Sequence, residues 1–150
     1  MHLIKTKSLN ENQFNQINEL WNMEYPENLK GRFPVLLDGV INYNHYLFED
    51  ENNQVMAWAV DFEKENEIRF SIIVAELFQS RGLGSQLMNC LKETHPQFYG
   101  WVIDHDQFKK SNGGNYLSPV GFYLRIGLVL MPECRIDNEI INAVKMKWEG

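Results

Sequence analysis

The stretch that most constrains the fold runs from Ile68 to Thr94, I-R-F-S-I-I-V-A-E-L-F-Q-S-R-G-L-G-S-Q-L-M-N-C-L-K-E-T. Ile68 to Val74 is apolar and β-branched, the composition of a strand, and Gly82 opens a segment whose apolar positions Leu83, Leu87, Met88 and Leu91 share one helical face. A strand therefore delivers the chain to a glycine turn at a helix start. The first N–H groups of a helix have no partner inside it, and the aligned peptide dipoles make that end partly positive, so an anion is the natural guest. Gly82 and Gly84 let backbone approach such a guest without a Cβ in between, and Gln79, Ser80, Arg81 and Ser85 add side-chain donors. The segment reads as a diphosphate cradle.

The rest of the chain supplies elements on both sides of it. His2 to Lys7 alternates weakly and predicts a first strand; Ser8 and Glu11 have capping-box spacing ahead of a helix bearing Phe14, Ile17, Leu20 and Trp21, which Pro26 stops. Val35, Leu36, Leu37, Val40 and Ile41 suggest a short second helix. His45 to Asp50 and Val55 to Phe62 flank a polar turn and predict a hairpin, extended to a meander by Ile68 to Val74. After the central helix, ended by His95-Pro96, Phe98 to Ile103 is a strand, Ser118-Pro119 starts a short helix through Ile126, and Leu128 to Met131 and Ile141 to Trp148 are two last strands. The order β-α-α-β-β-β-α-β-α-β-β describes an α/β arrangement with a mixed sheet in one domain, residues 1–150. No repeat or linker divides it.

Composition narrows the class. With 44% apolar and 23% charged residues the chain is an ordinary globular domain, and its net charge of -6 argues against broad attraction to nucleic acid and suits a cationic small substrate. No apolar run reaches bilayer length and no secretion signal opens the chain, so a soluble cytoplasmic protein is expected, with Cys90 and Cys134 as free thiols.

The turn lacks both G-x-G-x-x-G and G-x-x-x-x-G-K-[ST]. It has Q-x-x-G-x-G, Gln79 to Gly84, and here the sequence resembles the GNAT superfamily of acyl-CoA-dependent N-acyltransferases, whose signature is Gln or Arg, two residues, Gly, one residue, then Gly or Ala. A second segment, Phe122-Tyr123-Leu124-Arg125-Ile126-Gly127-Leu128, is similar to the family's F-Y-x-K-x-G-F. The resemblance spans the chain and implies a single mixed, mostly antiparallel sheet of six to seven strands flanked by helices and splayed between the fourth and fifth strands.

It also implies roles. Backbone amides from Gln79 through Ser80, Arg81, Gly82, Leu83 and Gly84 to Ser85 would hold the pyrophosphate of acetyl-CoA, the acyl donor. Ile72, Ile73 and Val74, at a bulge, would pair with its pantetheine arm, and Val74 N–H would steady the carbonyl oxygen. Arg125 and Asn115, the latter beside Tyr116 at the family's asparagine position, are further cofactor contacts, and Tyr123 would protonate the leaving thiolate. Many members place a glutamate where this chain has Ile68. Glu67 beside it, Asp104 or His105 at the end of the fifth strand, or solvent alone are the alternatives for the base. The acids from Asp61 to Glu67 otherwise read as a solvated turn, and nothing calls for a metal. The implied reaction is direct acetyl transfer to a primary amine of a small molecule, peptide or protein, with a catalytically inactive acyl-CoA-binding or interaction domain as the alternative. The acceptor is unidentified, and the oligomeric state, a homodimer among the options, is open.

Overall fold

A computed structural model describes residues 1–150. The elements in chain order are β1 (His2–Thr6), α1 (Glu11–Glu24), β2 (Tyr43–Glu49), β3 (Val55–Lys64), β4 (Glu67–Val74), α2 (Leu83–Thr94), β5 (Gln97–Val102), α3 (Val120–Arg125), β6 (Val129–Asp137) and β7 (Asn142–Glu149). The strands form one seven-stranded sheet in the order β1-β2-β3-β4-β5-β7-β6, antiparallel throughout except where β4 meets β5.

Period-2 alternation in the strands feeds two cores on opposite faces of the sheet. On one, α2 and α3 lay Leu83, Leu87, Met88, Leu91 and Tyr123 over Ala57, Ala59, Phe70, Ile72 and Phe98. On the other, Ile17 and Trp21 of α1, with Phe33, cover Leu47, Trp58, Val60, Phe62 and Ile73.

Three local readings are corrected. The capping box of α1 is Asn10 with Gln13, not Ser8 with Glu11: Asn10 accepts from Gln13 N–H at 2.8 Å and the Gln13 side chain accepts from Asn10 N–H at 3.0 Å. Residues 27–41 hold two single 3₁₀ turns, Glu27–Leu29 and Phe33–Val35, in place of a second helix, because Pro34 and the positive-φ Gly31 and Gly39 deny it length. Finally, β6 continues to Asp137 through a register shift between Met131 and Arg135. Pro132 is tolerated there because β6 is an edge strand and the ladder is already broken.

The splay is plain in the register. β3 and β4 pair without a break from Lys64↔Glu67 to Ala57↔Val74, so β4 carries no bulge, whereas β4 and β5 share a single pair, Arg69↔Tyr99. Past that point Phe70 turns its ring over Gly100, where an added Cβ would lie 2.5 Å from Phe70 Cε1. Glycine at 100 is what admits this ring into the crotch of the two strands.

Candidate active site

A groove of about 1060 Å³ runs through the splay and joins both faces of the sheet. Its lining on the α2 side is the glycine turn, Ile72, Val74, Pro119 and residues 122, 123 and 125; on the α1 side it is Trp21, Glu24, Tyr25, Leu29, Arg32, Val35, Leu36, Phe62, Lys64 and Arg69.

The turn is built as the sequence predicts. Gly82 is the N-cap of α2 at φ 79°, a conformation L side chains rarely adopt, and Ser80 also has positive φ at 65°. The first hydrogen bond of α2 is Gln86 N–H to Gly82 C=O at 3.1 Å; the N–H groups from Ser80 through Ser85 find no acceptor anywhere in the chain. They form a row of unpartnered donors at the positive end of a helix, the chemistry that a diphosphate requires. Gly84 serves differently. A Cβ there would sit 3.1 Å from Phe122 Cζ and 3.6 Å from Val74 Cγ2, so its bareness lets α3 pack on the turn and brings the two sequence motifs into contact. Arg81 lies outside the lining, its guanidinium over the Phe78 ring at 5.4 Å. Arg125 lines the groove and is exposed.

Of the β4 residues assigned to pantetheine, two present their backbone to the opening. Ala75 N–H bonds Met56 C=O at 3.0 Å, which makes Val74↔Ala57 a non-hydrogen-bonded pair and turns the polar groups of Val74 and Ile72 away from β3. Ile73 is the correction: its backbone belongs to the β3 ladder opposite Trp58, and its side chain is in the α1-side core. Val74 C=O already accepts from Gln79 Nε2 at 3.1 Å and Ile72 C=O from the Tyr25 hydroxyl at 2.9 Å. Each carbonyl keeps a second lone pair.

Tyr123 is buried in the groove with its ring 5.9 Å from Phe70 and 5.2 Å from Phe122, and its hydroxyl has no partner in the chain. Burial pushes that hydroxyl well above the ordinary tyrosine value, with Tyr25 and Tyr116 adding to the effect. Burial likewise pushes Tyr116 up to about 12. Three protonated phenols thus share one low-dielectric groove, and Tyr123 remains a donor throughout the neutral range.

The candidate bases do not meet them. Glu67 lies outside the lining, held by Lys145 at 2.7 Å and Arg69 at 2.9 Å. Burial raises its carboxyl, but the hydrogen bonds from Lys145 and Arg69 outweigh this and keep it below the usual value. Asp104 also lies outside, paired with Arg135 at 2.6 Å, which holds it low. His105 packs on Phe108 and accepts from Gln107 N–H at 3.2 Å, again away from the lining. Asn115 does line the groove, with its side-chain oxygen taken by Lys109 Nζ. Asp61 is no part of a solvated turn: it is 2% exposed and accepts from the Tyr46 hydroxyl at 2.6 Å.

Sequence reasoning passed over Glu24 and Lys110, which form an ion pair in the groove lining at 3.1 Å, while the second Glu24 oxygen accepts from Glu76 N–H at 2.6 Å. They are 86 residues apart, and no spacing rule links them. No group of three or more His, Cys, Asp or Glu side chains is placed to hold a metal ion, and no helix is long and apolar enough to cross a membrane.

In sequence, no protein-family model and no curated protein matches the chain. In structure, the chain superposes on an aminoglycoside 6'-N-acetyltransferase complexed with coenzyme A with a TM-score of 0.68 at 13% identity, covering 99% of this chain and 97% of that one. ElaA of Escherichia coli gives 0.63 at 16% identity, covering 99% and 100%, and a spermidine N-acetyltransferase from Vibrio cholerae, in complex with CoA and spermine, gives 0.61 at 15%, covering 98% and 95%. The single β4–β5 pair and the glycine turn between β4 and α2 agree with the splay and turn that the resemblance implies, and the chain has the GNAT fold.

Proposed function

We propose that the chain is an acyl-CoA-dependent N-acetyltransferase that moves an acetyl group from acetyl-CoA to a primary amine. The observation that carries this reading is the row of unpartnered N–H groups from Ser80 to Ser85, set at the end of a β4 edge that is open at Ile72 and Val74. Likeness of fold to N-acetyltransferases supports it.

In this reading the turn amides hold the diphosphate, with Arg125 as the cation nearest at hand on that side of the groove, and the free backbone groups of Ile72 and Val74 pair with the pantetheine amides. The thioester supplies the acyl group. Val74 N–H then offers a fixed donor where negative charge develops on the carbonyl oxygen. Tyr123 faces the departing sulfur as a hydrogen-bond donor. Because its pKa is raised, it steadies the thiolate by a strong O–H···S bond more readily than it surrenders its proton. Glu67 and Asp104 are tied into ion pairs outside the groove, and Glu24 is ion-paired with Lys110, so the amine gives up its proton to water in the open groove. The rate should accordingly rise with pH until the acceptor amine itself is neutral.

Calorimetric titration with CoA, followed by thiol release from acetyl-CoA with a broad panel of amines, tests the proposal. Binding with turnover is expected. No heat with CoA would end it, and binding without turnover on any amine would leave an acyl-CoA-binding domain.

A further inference from the structure

The groove reverses the charge of the molecule around it. The chain carries 14 Lys and Arg against 20 Asp and Glu. Of the side chains lining the groove, however, five are cations, Arg32, Lys64, Arg69, Lys110 and Arg125, and only Glu24 and Glu76 are carboxylates. Arg125 and the exposed Glu76 belong to the cofactor side. On the α1 side, where an acceptor would enter, Arg69 is neutralised by Glu65 and Glu67, and Lys110 by Glu24. Arg32 and Lys64 have no carboxylate within 4.0 Å and make no side-chain hydrogen bond. Two free cations therefore remain at the rim of a wall that is otherwise apolar, formed by Trp21, Leu29, Leu36, Phe62 and Ile141.

Resting on the acyl-transfer reading above, we infer that the acceptor is a small amine with an apolar body whose own molecule carries an oxyanion, bound by Arg32 and Lys64. A polycation does not fit. It needs uncompensated carboxylates, and the only one lining this side, Glu24, is neutralised by Lys110 and accepts a backbone N–H besides. An oxyanion meets two uncompensated donors in a cleft whose low-dielectric walls strengthen the attraction. The sequence-level expectation of a cationic substrate drew on net charge, which sums over a surface that the acceptor never touches. The reacting amine reaches the splay while the oxyanion stays at the rim, so the acceptor is extended along the α1 face of β4, past Ser71 toward Arg69.

The test uses acetylated products as probes, so it needs no turnover. Calorimetry on the full chain should show 6-acetamidohexanoate, whose carboxylate is separated from the acetylated nitrogen by an apolar chain, binding at least about tenfold more tightly than 6-acetamidohexanamide, a difference of one charge. The double variant R32A/K64A should erase that ratio while CoA affinity stays unchanged, and Arg32→Lys should retain part of it. 5-Acetamidopentyl phosphate, with an apolar chain of the same length, identifies the oxyanion: tighter binding than 6-acetamidohexanoate assigns a phosphate, weaker binding a carboxylate. N-acetylspermidine binding more tightly than both anionic probes, equal binding of acid and amide, or no binding of either anionic probe overturns the inference even if CoA binds well. Failure of CoA to bind is a separate result that removes the acyl-transfer reading.

Discussion

The two sides of the groove are made by different means. The α2 side is main chain: one continuous segment, Ser80 to Ser85, offers N–H groups aligned by a helix start, and its geometry is set by Gly82 at φ 79°. The α1 side is side chains: Glu24 from α1, Arg32 from the turn region, Lys64 from β3 and Lys110 from a loop, brought together only by the tertiary fold. A backbone site recognises what every donor in a family shares, and changing any single side chain scarcely alters it. A side-chain site can change its preference one residue at a time without disturbing the sheet beneath. Charge follows the same division, since the free cations of the α1 side can be replaced and the helix terminus cannot.

The largest effect is therefore expected from altering the main chain. Gly82→Val puts a β-branched residue where φ is positive; its Cβ would meet nothing within 4 Å, so the cost falls on the turn's conformation and not on packing. CoA affinity should fall by about a hundredfold or more, from strain of order 1–3 kcal/mol together with loss of the aligned N–H row. Calorimetry with CoA checks it, alongside a melting temperature that stays within a few degrees. Retained affinity would mean that the phosphates do not rest on this turn.

Next comes Tyr123→Phe, which leaves the buried ring against Phe70 and removes only the hydroxyl. A donor to a leaving group contributes on the order of 10²-fold, and kcat should fall by about that much while acetyl-CoA affinity holds within about twofold. Because burial raises this hydroxyl, it stays protonated below pH 10 and puts no alkaline limb into the neutral pH profile. Equal kcat in the variant would take Tyr123 out of the chemistry and leave it as core.

The sheet beneath the α1 side carries a titratable group. His45, 3% exposed, accepts from Trp58 Nε1 at 3.0 Å, and burial pushes its pKa down to about 4 despite the opposing pull of Asp61. Its folded value lies below the unfolded value near ~6.5, so the stability it contributes is complete above that pH and is lost as pH falls toward 4. The loss is about 3 kcal/mol at most, and His45→Gln, which keeps an acceptor for Trp58, should show a drop smaller by that amount between pH 7 and pH 4 in chemical denaturation. Identical pH slopes would show that His45 is not buried neutral.

What the sequence disclosed divides along the same line. Gln79 to Ser85 and Phe122 to Gly127 are contiguous, and their chemistry depends on local backbone, so strand periodicity, glycine placement and a resemblance located them; even the contact of Gly84 with Phe122 links two stretches already singled out. The α1 side was hidden for physical reasons. Residues 27–41 carry no period because they form 3₁₀ turns, Pro132 disguised an edge strand with a broken register, and Glu24 and Lys110 meet across 86 residues. That Glu67 and Asp104 lie outside the groove was hidden because sequence gives the position of a carboxylate and not its partner. Lys145 and Arg135 claim them from β7 and β6.

Tyr25 joins the two sides and gives the smallest expected effect. It sits at the C-cap of α1, on the α1-side wall of the groove, yet its hydroxyl donates to Ile72 C=O, one of the β4 groups turned toward the opening. If that bond served the cofactor, Tyr25→Phe would free a lone pair for pantetheine and alter acetyl-CoA affinity. The carbonyl already has a second lone pair, so the gain there is slight. What the bond does fix is the end of α1, and with it Glu24 and Trp21 on the wall. A neutral hydrogen bond of this kind contributes about 0.5–1.5 kcal/mol. Tyr25→Phe should therefore lower kcat/KM for the amine by about three- to tenfold and leave acetyl-CoA affinity within about twofold. The opposite split, a shifted cofactor affinity with the amine parameters untouched, would place Tyr25 on the main-chain side of the groove and move the boundary between the two sides to α1 itself.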